Sequence, residues 1–378
     1  MAKKKYTFID LFAGCGGLSE GFLRTGRFNA LAHVEWEKPM VETLRNRLVT
    51  KWNESEENAK KKVILFDIQK TEELINGNWS DESIAQYGEH NSGKVRKSGL
   101  KGVIGNKLVD LIIGGPPCQA YSIHGRATDK DSMNNDYRNY LFESFCRVVD
   151  EFRPNVFVFE NVGGLLSAKP GGVPVRKRIY DAFTQIGYQI LTPEEMPSAL
   201  YNAVNFNVPQ YRPRVIILGV RRDSNIDLND LYKSIEREQK LNKKLTVKDA
   251  IGHLPPLYPL GQQVKDGRYM RSHQLNSNLE ITQHEARNHG LLSDAKIRKN
   301  IPQHLVGGDF AYYGAEVVDG FADVLGCQVG RQAGGQAVTD AEQGSAGVGE
   351  GLRVALVGHQ GCVAVAQKVA LRGCQKSP

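Results

Sequence analysis

Cys118 stands in the stretch Ile113-Gly-Gly-Pro-Pro117-Cys118-Gln119-Ala-Tyr-Ser122, a Gly/Pro-rich loop that follows an apolar run. A thiol there is badly placed for core packing and well placed to act as a nucleophile, and the two prolines before it restrict the backbone that carries it. A second group is the carboxyl of Phe159-Glu160-Asn161-Val162, directly after another apolar run. Burial there favours the protonated form, which can donate a hydrogen bond. A third is Gln210-Tyr-Arg212-Pro-Arg214, whose two guanidiniums point the same way in an extended segment and suit phosphate or carbonyl oxygens. Taken singly, an Arg-x-Arg is most often a solvated pair and a lone carboxylate a helix cap or turn.

A fourth stretch, Phe8-Ile-Asp-Leu-Phe12-Ala13-Gly14-Cys15-Gly16-Gly17, runs a strand into a glycine turn and then a helix predicted over Leu18 to Thr25. Glycines let a ligand approach the backbone, and the helix start favours partial negative charge. A nicotinamide site carries a third glycine where this chain has Ser19, which weighs against a dehydrogenase. Further carboxylates, Glu35 and Asp67, each close an apolar run. An acid at the end of the second strand suits a ribose diol, and the next one an adenine amino group. Cys146, inside an apolar helical stripe, reads as a packing residue, and Cys15 as a residue tolerated in its turn.

The elements that must position these groups are short apolar runs at Thr7–Phe12, Leu31–Val34, Val63–Phe66, Val109–Ile113, Val156–Phe159 and Val215–Leu218. They lack alternation, as strands of a parallel sheet covered on both faces do. Helical spacing lies between several of them, most clearly over Arg138–Phe152, which Pro154 stops. Strand and helix in alternation predict a doubly wound α/β domain, in which ligands bind beyond the carboxyl ends of the strands. The acids named above would then line one crevice. Residues 74–108, rich in Gly, Ser, Asn and Lys, are expected to form a surface excursion that is disordered over Asn91–Lys101. From Leu245 to Asn300 the text turns polar, with a turn at Pro255-Pro256 and a helix over Ser293–Lys299, and reads as a separate smaller unit.

Composition bounds the rest. A chain this long builds a full core without disulfide or metal staples, which excludes hormone, knottin and zinc-finger readings. Six cysteines without paired metal spacing indicate a reduced, cytoplasmic protein. No apolar run approaches membrane-spanning length, and Asp10 interrupts the one stretch that could pass for a signal peptide. Net charge is +7, compatible with a phosphate-backbone partner without requiring one. Residues 306–378 differ in kind: they hold 15 of the 39 glycines and three of the six cysteines, but no Ile, Asn or Trp. So abrupt a switch is what translation in a shifted reading frame produces. A natural Gly/Ala-rich tail or a fused segment would look similar.

Together these residues resemble the DNA cytosine-5 methyltransferases. The matching pieces, in the family's order, are Asp10 to Gly17, Glu35-Trp36, Asp67-Ile68, Pro116-Pro117-Cys118-Gln119, Arg138 with Leu141, Glu160-Asn161-Val162 and Gln210 to Arg214. The resemblance is firm over residues 6–220. Beyond them, His284-Glu-Ala-Arg287 and Asp294 look like the start of the family's variable recognition region. It implies a Rossmann-like, S-adenosylmethionine-dependent catalytic domain over residues 1–225. The beginning of a target-recognition domain would follow at 226–305, and 306–378 would be an atypical tail. S-adenosylmethionine would lie over Phe12, Ala13, Gly14, Gly16 and Gly17, with Leu141 also on the cofactor side. Glu35 would take the ribose hydroxyls, Trp36 and Ile68 would pack on the adenine, and Asp67 would accept from its amino group. Cys118 would attack C6 of a cytosine flipped out of the duplex, Glu160 would hold and protonate N3, and Arg214 with Arg212 would bind O2. Pro117, Asn161, Val162 and Gln210 would support the site. Gln119 and Ser122 would begin a loop that in the family is mobile and closes over DNA, with Gly125–Asn135 as its body. No metal is implied.

The implied partners are double-stranded DNA and, in a bacterial restriction-modification setting, a cognate restriction endonuclease, with the enzyme a cytoplasmic monomer. The chain also departs from the pattern. The family's late Arg-Glu helix motif and its Gly-Asn-x-Val motif are missing between Val306 and Pro378. A non-catalytic DNA- or cofactor-binding remnant and an RNA cytosine-5 methyltransferase of the same fold therefore stand as alternatives.

Overall fold

The computed structural model describes residues 5–117, 141–239, 245–251, 257–266 and 269–275. In chain order, β1 (Tyr6–Leu11) leads into α1 (Gly17–Arg24), β2 (Phe28–Glu35), α2 (Lys38–Trp52), α3 (Glu56–Lys62) and β3 (Val63–Leu65). Then come α4 (Thr71–Asn76), α5 (Asp81–Tyr87), α6 (Gly93–Ile104) and β4 (Leu111–Gly114). After residue 140 follow α7 (Leu141–Phe152), β5 (Val156–Val162), α8 (Val175–Gln185), β6 (Tyr188–Gln189), β7 (Leu200–Asn202), β8 (Pro213–Arg221), α9 (Leu228–Arg237) and α10 (Val247–Ile251). Two further strands, β9 (Leu257–Asp266) and β10 (Tyr269–Leu275), pair antiparallel with each other.

The main sheet has the order β3-β2-β1-β4-β5-β8-β6, with β7 alongside β8. The five strands from β3 to β5 are mutually parallel. Their order reverses at β1, which lies between β2 and β4, so the crevice for a ligand opens beyond the carboxyl ends of β1 and β4. Phe8, Ile9, Leu11, Ile112, Ile113, Phe157 and Phe159 are fully buried, as strands covered on both faces must be. The apolar stripe read over Arg138–Phe152 is α7 from Leu141 onward, and its Phe145 meets Phe157 and Phe159 edge-on at 5.9 and 5.3 Å. Cys146 is buried in the same stripe, as expected of a packing residue. Burial, followed by the nearby Asp150 and Glu143 carboxylates, pushes its thiol up to about 12.

Two sequence expectations need correction. The run at Val215–Leu218 is a strand, but it enters the sheet antiparallel to β5 rather than parallel. Strands β6 and β7, two and three residues long, carry too little pattern to be read beforehand.

The second correction is that residues 74–108 are not merely a surface excursion, and that Asn91–Lys101 within them is ordered. Helices α4, α5 and α6 occupy them, with Val95, Leu100 and Ile104 buried. Ser80 and Ser92 cap α5 and α6 by accepting the backbone N–H groups of Ser83 and Val95. The glycines that look like flexibility serve close packing. A Cβ on Gly77 would stand 2.3 Å from the Ser98 nitrogen, and one on Gly99 2.5 Å from the Gly77 nitrogen. Asn91 completes the edge of the sheet. Its Oδ1 accepts from Leu65 N–H at 3.1 Å, and its Nδ2 donates to the carbonyls of Leu65 at 2.9 Å and Tyr87 at 2.8 Å. One side chain thus stands in for a neighbouring strand on β3.

Candidate active site and its relatives

Five residues after β1 the chain must turn sharply into α1, and its backbone shows how. Phe12, Gly14 and Gly16 all have positive φ, 60°, 54° and 82°. For Phe12 this is an uncommon state that the surroundings must impose. At Gly16 a Cβ would also land 2.5 Å from Leu44 Cδ1. The turn is closed by Gly16 N–H donating to the Ala13 carbonyl at 2.8 Å, and it is moored to β2 by Ala13 N–H on the Val34 carbonyl at 2.9 Å.

Glu35, buried at the end of β2, has a role that sequence reading did not foresee. Its Oε2 accepts the Gly14 N–H at 2.7 Å, and its Oε1 accepts those of Trp36 and Glu37, both at 2.9 Å. One carboxylate therefore clips the glycine turn to the end of the neighbouring strand. Trp36 presents its ring at the surface, 47% exposed, while Ile68 is buried beyond the end of β3. Asp67 is half-buried and accepts the Gln69 N–H at 2.9 Å. The acids expected along one crevice thus stand at the end of β2 and two residues beyond the end of the adjacent β3. This donor set of two carboxylates, an apolar platform and a backbone-lined glycine turn fits a nucleoside-bearing cofactor.

On the other side of the switch point, β4 ends in Gly114, and Gly115-Pro116-Pro117 leads toward Cys118. Cys118, Gln119, Ser122, Arg138 and the segment Gly125–Asn135 lie outside the described residues. The backbone before them is held firmly. Asn161 Nδ2 donates to the Pro116 carbonyl at 3.3 Å, and its Oδ1 accepts the Val162 N–H at 2.9 Å. Phe142, Phe159, Leu165 and Val175 line a small pocket together with Pro116 and Pro117.

Glu160 faces this loop, and its partner follows from strand register. In the antiparallel pairing of β5 with β8, Val162 lies opposite Arg214 and Glu160 opposite Ile216. Glu160 and Arg214 are then diagonal neighbours on one face. Arg214 Nε lies 2.8 Å from Glu160 Oε1, with the two side chains 14% and 5% exposed. Reading Glu160 as an isolated buried acid left out this counterion. The fit around the carboxyl is close: a Cβ on Gly115 would stand 2.7 Å from Glu160 Oε2, a requirement for glycine that the sequence did not reveal. Arg212 takes a different place. Its own N–H donates to Asn202 Oδ1 at 3.0 Å, and its carbonyl accepts the Ala203 N–H at 3.2 Å. Gln210 is exposed, and so is Tyr211, at 81%. The helix over Ser293–Lys299, the turn at Pro255-Pro256, His284 to Arg287, Asp294 and the tail from 306 lie outside the described residues.

A doubly wound sheet whose order reverses at β1, extended by the antiparallel β8, with a glycine turn and two acids on one side and a Pro-Pro loop facing a buried Glu–Arg pair on the other, defines a Rossmann-like methyltransferase fold. Within that class the chain belongs to the C-5 cytosine-specific DNA methylases, whose family pattern matches residues 6–78 and 81–319. It is similar to the type II methyltransferase M.Bpa9945I of Bacillus paralicheniformis, with 38% identity over 66% of this chain and 61% of that protein. M1.HphI of Haemophilus parahaemolyticus is 29% identical over 81% of this chain and 67% of its own length. M.MthTI of Methanothermobacter thermautotrophicus is 32% identical over 56% of each. The chain thus spans roughly three fifths of the length of the curated relatives it matches.

Proposed function

We propose that this protein transfers a methyl group from S-adenosylmethionine to C5 of a cytosine in duplex DNA, as the modification enzyme of a restriction-modification system. The observation that carries the reading is the buried Glu160–Arg214 pair set against the loop that leads to Cys118. Residues 1–225 form the catalytic domain in this reading, 226–305 begin the recognition domain, and 306–378 stand apart from both.

The target base leaves the stack, because neither C5 nor C6 can be reached inside the duplex. The Cys118 sulfur adds to C6 while Glu160 gives a proton to N3, so that the ring stays neutral and C5 becomes nucleophilic. Arg214, assisted by Arg212, holds O2 and stabilises the charge that develops there. The cofactor supplies the methyl group from its sulfonium. C5 then loses its proton to a base, Cys118 departs as the thiolate and N3 returns its proton to Glu160, restoring the neutral aromatic ring. The glycine turn from Phe12 to Gly17, with Leu141 nearby, holds the methionine end of the cofactor. Glu35 takes the ribose hydroxyls, Trp36 and Ile68 pack on the adenine, and Asp67 accepts from its amino group. Pro117, Gln119, Ser122, Asn161, Val162 and Gln210 support the base site.

The enzyme acts as a cytoplasmic monomer alongside a cognate endonuclease. Among the described residues no helix is long and apolar enough to cross a membrane. The test is incubation with labelled S-adenosylmethionine and either duplex DNA or transfer RNA, together with trapping on a 5-fluorocytosine duplex. Label on DNA and a covalent adduct lost in Cys118→Ala are expected. Label confined to transfer RNA would make it an RNA methyltransferase, and binding without an adduct would make it a non-catalytic remnant.

A further inference from the structure

Ser19 occupies the position where a dinucleotide site carries its third glycine, and nothing in the proposed chemistry uses it. It lies in the first turn of α1 and is buried. Beneath it, the parallel register of β1 and β2 places Asp10 beside His33. Ser19 Oγ donates to Asp10 Oδ2 and lies 3.0 Å from His33 Nδ1, which is itself 3.8 Å from Asp10 Oδ2. The serine oxygen thereby bridges the Asp10 carboxyl and the His33 imidazole. Both His33 and Asp10 are sealed from solvent, with side chains 0% and 1% exposed.

The cluster is an expensive way to join a helix to a sheet. Among the described residues neither Asp10 Oδ1 nor His33 Nε2 has a hydrogen-bond partner. Buried polar atoms left unmatched cost stability that three apolar side chains of similar shape would not. Stability alone therefore gives no reason for these three residue types. Position does. Ser19 lies two residues beyond Gly17, and the turn before it is already held at its other end by Glu35 on the Gly14 N–H. A polar tie at Ser19 fixes the second end.

We infer that Asp10, Ser19 and His33 form a latch of positioning residues, which holds the first turn of α1 against the sheet and so sets the shape of the glycine turn that receives the methionine end of S-adenosylmethionine. The inference rests on the methyltransferase reading of that turn. In a third-glycine site close packing does this work; here a hydrogen-bonded chain does it.

The test compares the wild type with Ser19→Ala, which removes one oxygen, and Asp10→Asn, which keeps an acceptor for the serine. Amide hydrogen exchange over residues 12–22 is followed without cofactor, and S-adenosylmethionine binding by equilibrium dialysis. Ser19→Ala is expected to speed exchange across the turn and raise the dissociation constant about tenfold, with the rate at saturating cofactor within about twofold of wild type. Asp10→Asn is expected to stay near wild type in both. Unchanged exchange and affinity in Ser19→Ala would overturn the latch, as would a fall in saturated rate with no change in affinity. If the wild type itself fails to bind S-adenosylmethionine, the reading of the site falls, and the exchange rates still report whether the latch holds the turn.

Discussion

Arg214 and Glu160 face each other at 2.8 Å across the β5–β8 pairing, and removing one takes an opposite charge away from the other. Arg214→Ala removes the guanidinium that stands 2.8 Å from the Glu160 carboxyl, a loss of about 3 kcal/mol, and should lower methyl transfer by roughly 10²- to 10³-fold. Thermal unfolding and single-turnover labelling of DNA would check the two effects separately. Gly115→Ala is a finer probe, because its new methyl group would stand 2.7 Å from Glu160 Oε2 and displace the carboxyl without removing any functional group. Activity should fall at least tenfold for a stability cost of about 1–3 kcal/mol. A Gly115→Ala enzyme with wild-type turnover would show that the carboxyl has freedom the packing denies it. Cys146 offers a contrast, since burial followed by nearby carboxylates keeps its thiol protonated up to about 12. Iodoacetamide at pH 8 should leave Cys146 unmodified in the folded protein, as mass mapping of the labelled peptides would show. Candidate groups for such chemistry were visible in the residue string because Cys, Glu and Arg stand at the ends of apolar runs. The partnership of Glu160 with Arg214, 54 positions apart, was not.

At the scale of elements, α1 and α2 are bound together by Glu20. Burial would raise its pKa, but the ammonium of Lys51 and the guanidiniums of Arg47 and Arg24 more than offset this and hold it at about 2. Its bonds to Arg24, Arg47 and the Trp52 indole are 2.6, 2.8 and 3.1 Å long, and Lys51 also donates to it. The folded value lies below the ordinary 4.5, so the contribution to stability is complete above about pH 4.5 and is lost as pH falls toward 2. Glu20→Gln should be less stable than wild type at pH 7, and the gap should narrow steadily in denaturant titrations from pH 5 to pH 2.5. A gap independent of pH would contradict the assignment. The other element-scale device is Asn91, whose three bonds close the edge of β3. Asn91→Leu leaves a buried N–H and two carbonyls unmatched and should cost about 2–3 kcal/mol, measurable as a shift in the urea midpoint. That segment was misread from composition because Gly, Ser and Asn are common to mobile loops and to tightly docked short helices. Only contacts such as Gly77 against Gly99 tell them apart.

The whole molecule divides by charge. Residues 1–305 carry 44 basic and 35 acidic side chains, and 306–378 carry 5 and 7, so the positive balance belongs to the part that resembles the enzyme. Affinity for duplex DNA should therefore fall steeply with salt. Fluorescence anisotropy across a salt series would check this, and a flat response would sink phosphate binding. The family pattern runs to residue 319, so residues 320–378 lie beyond it. If the composition break at 306 marks a shifted frame, the gene read in its other frames should encode the Arg-Glu and Gly-Asn-x-Val motifs downstream of it.

The doubly wound class and the candidate residues at its strand ends were legible in the chain, because strand ends in such a sheet are marked locally by an apolar run closed by a glycine or an acid. Strand direction has no such local mark. A parallel β8 would have put Arg214 at the edge of the sheet away from Glu160, whereas the antiparallel strand starts where β5 ends and brings the guanidinium to 2.8 Å from the carboxylate. The same holds for the backbone clip made by Glu35 and for the latch beneath Ser19. Both depend on which side chains neighbouring strands place side by side, and that register is settled by packing of the whole sheet rather than by any segment of it.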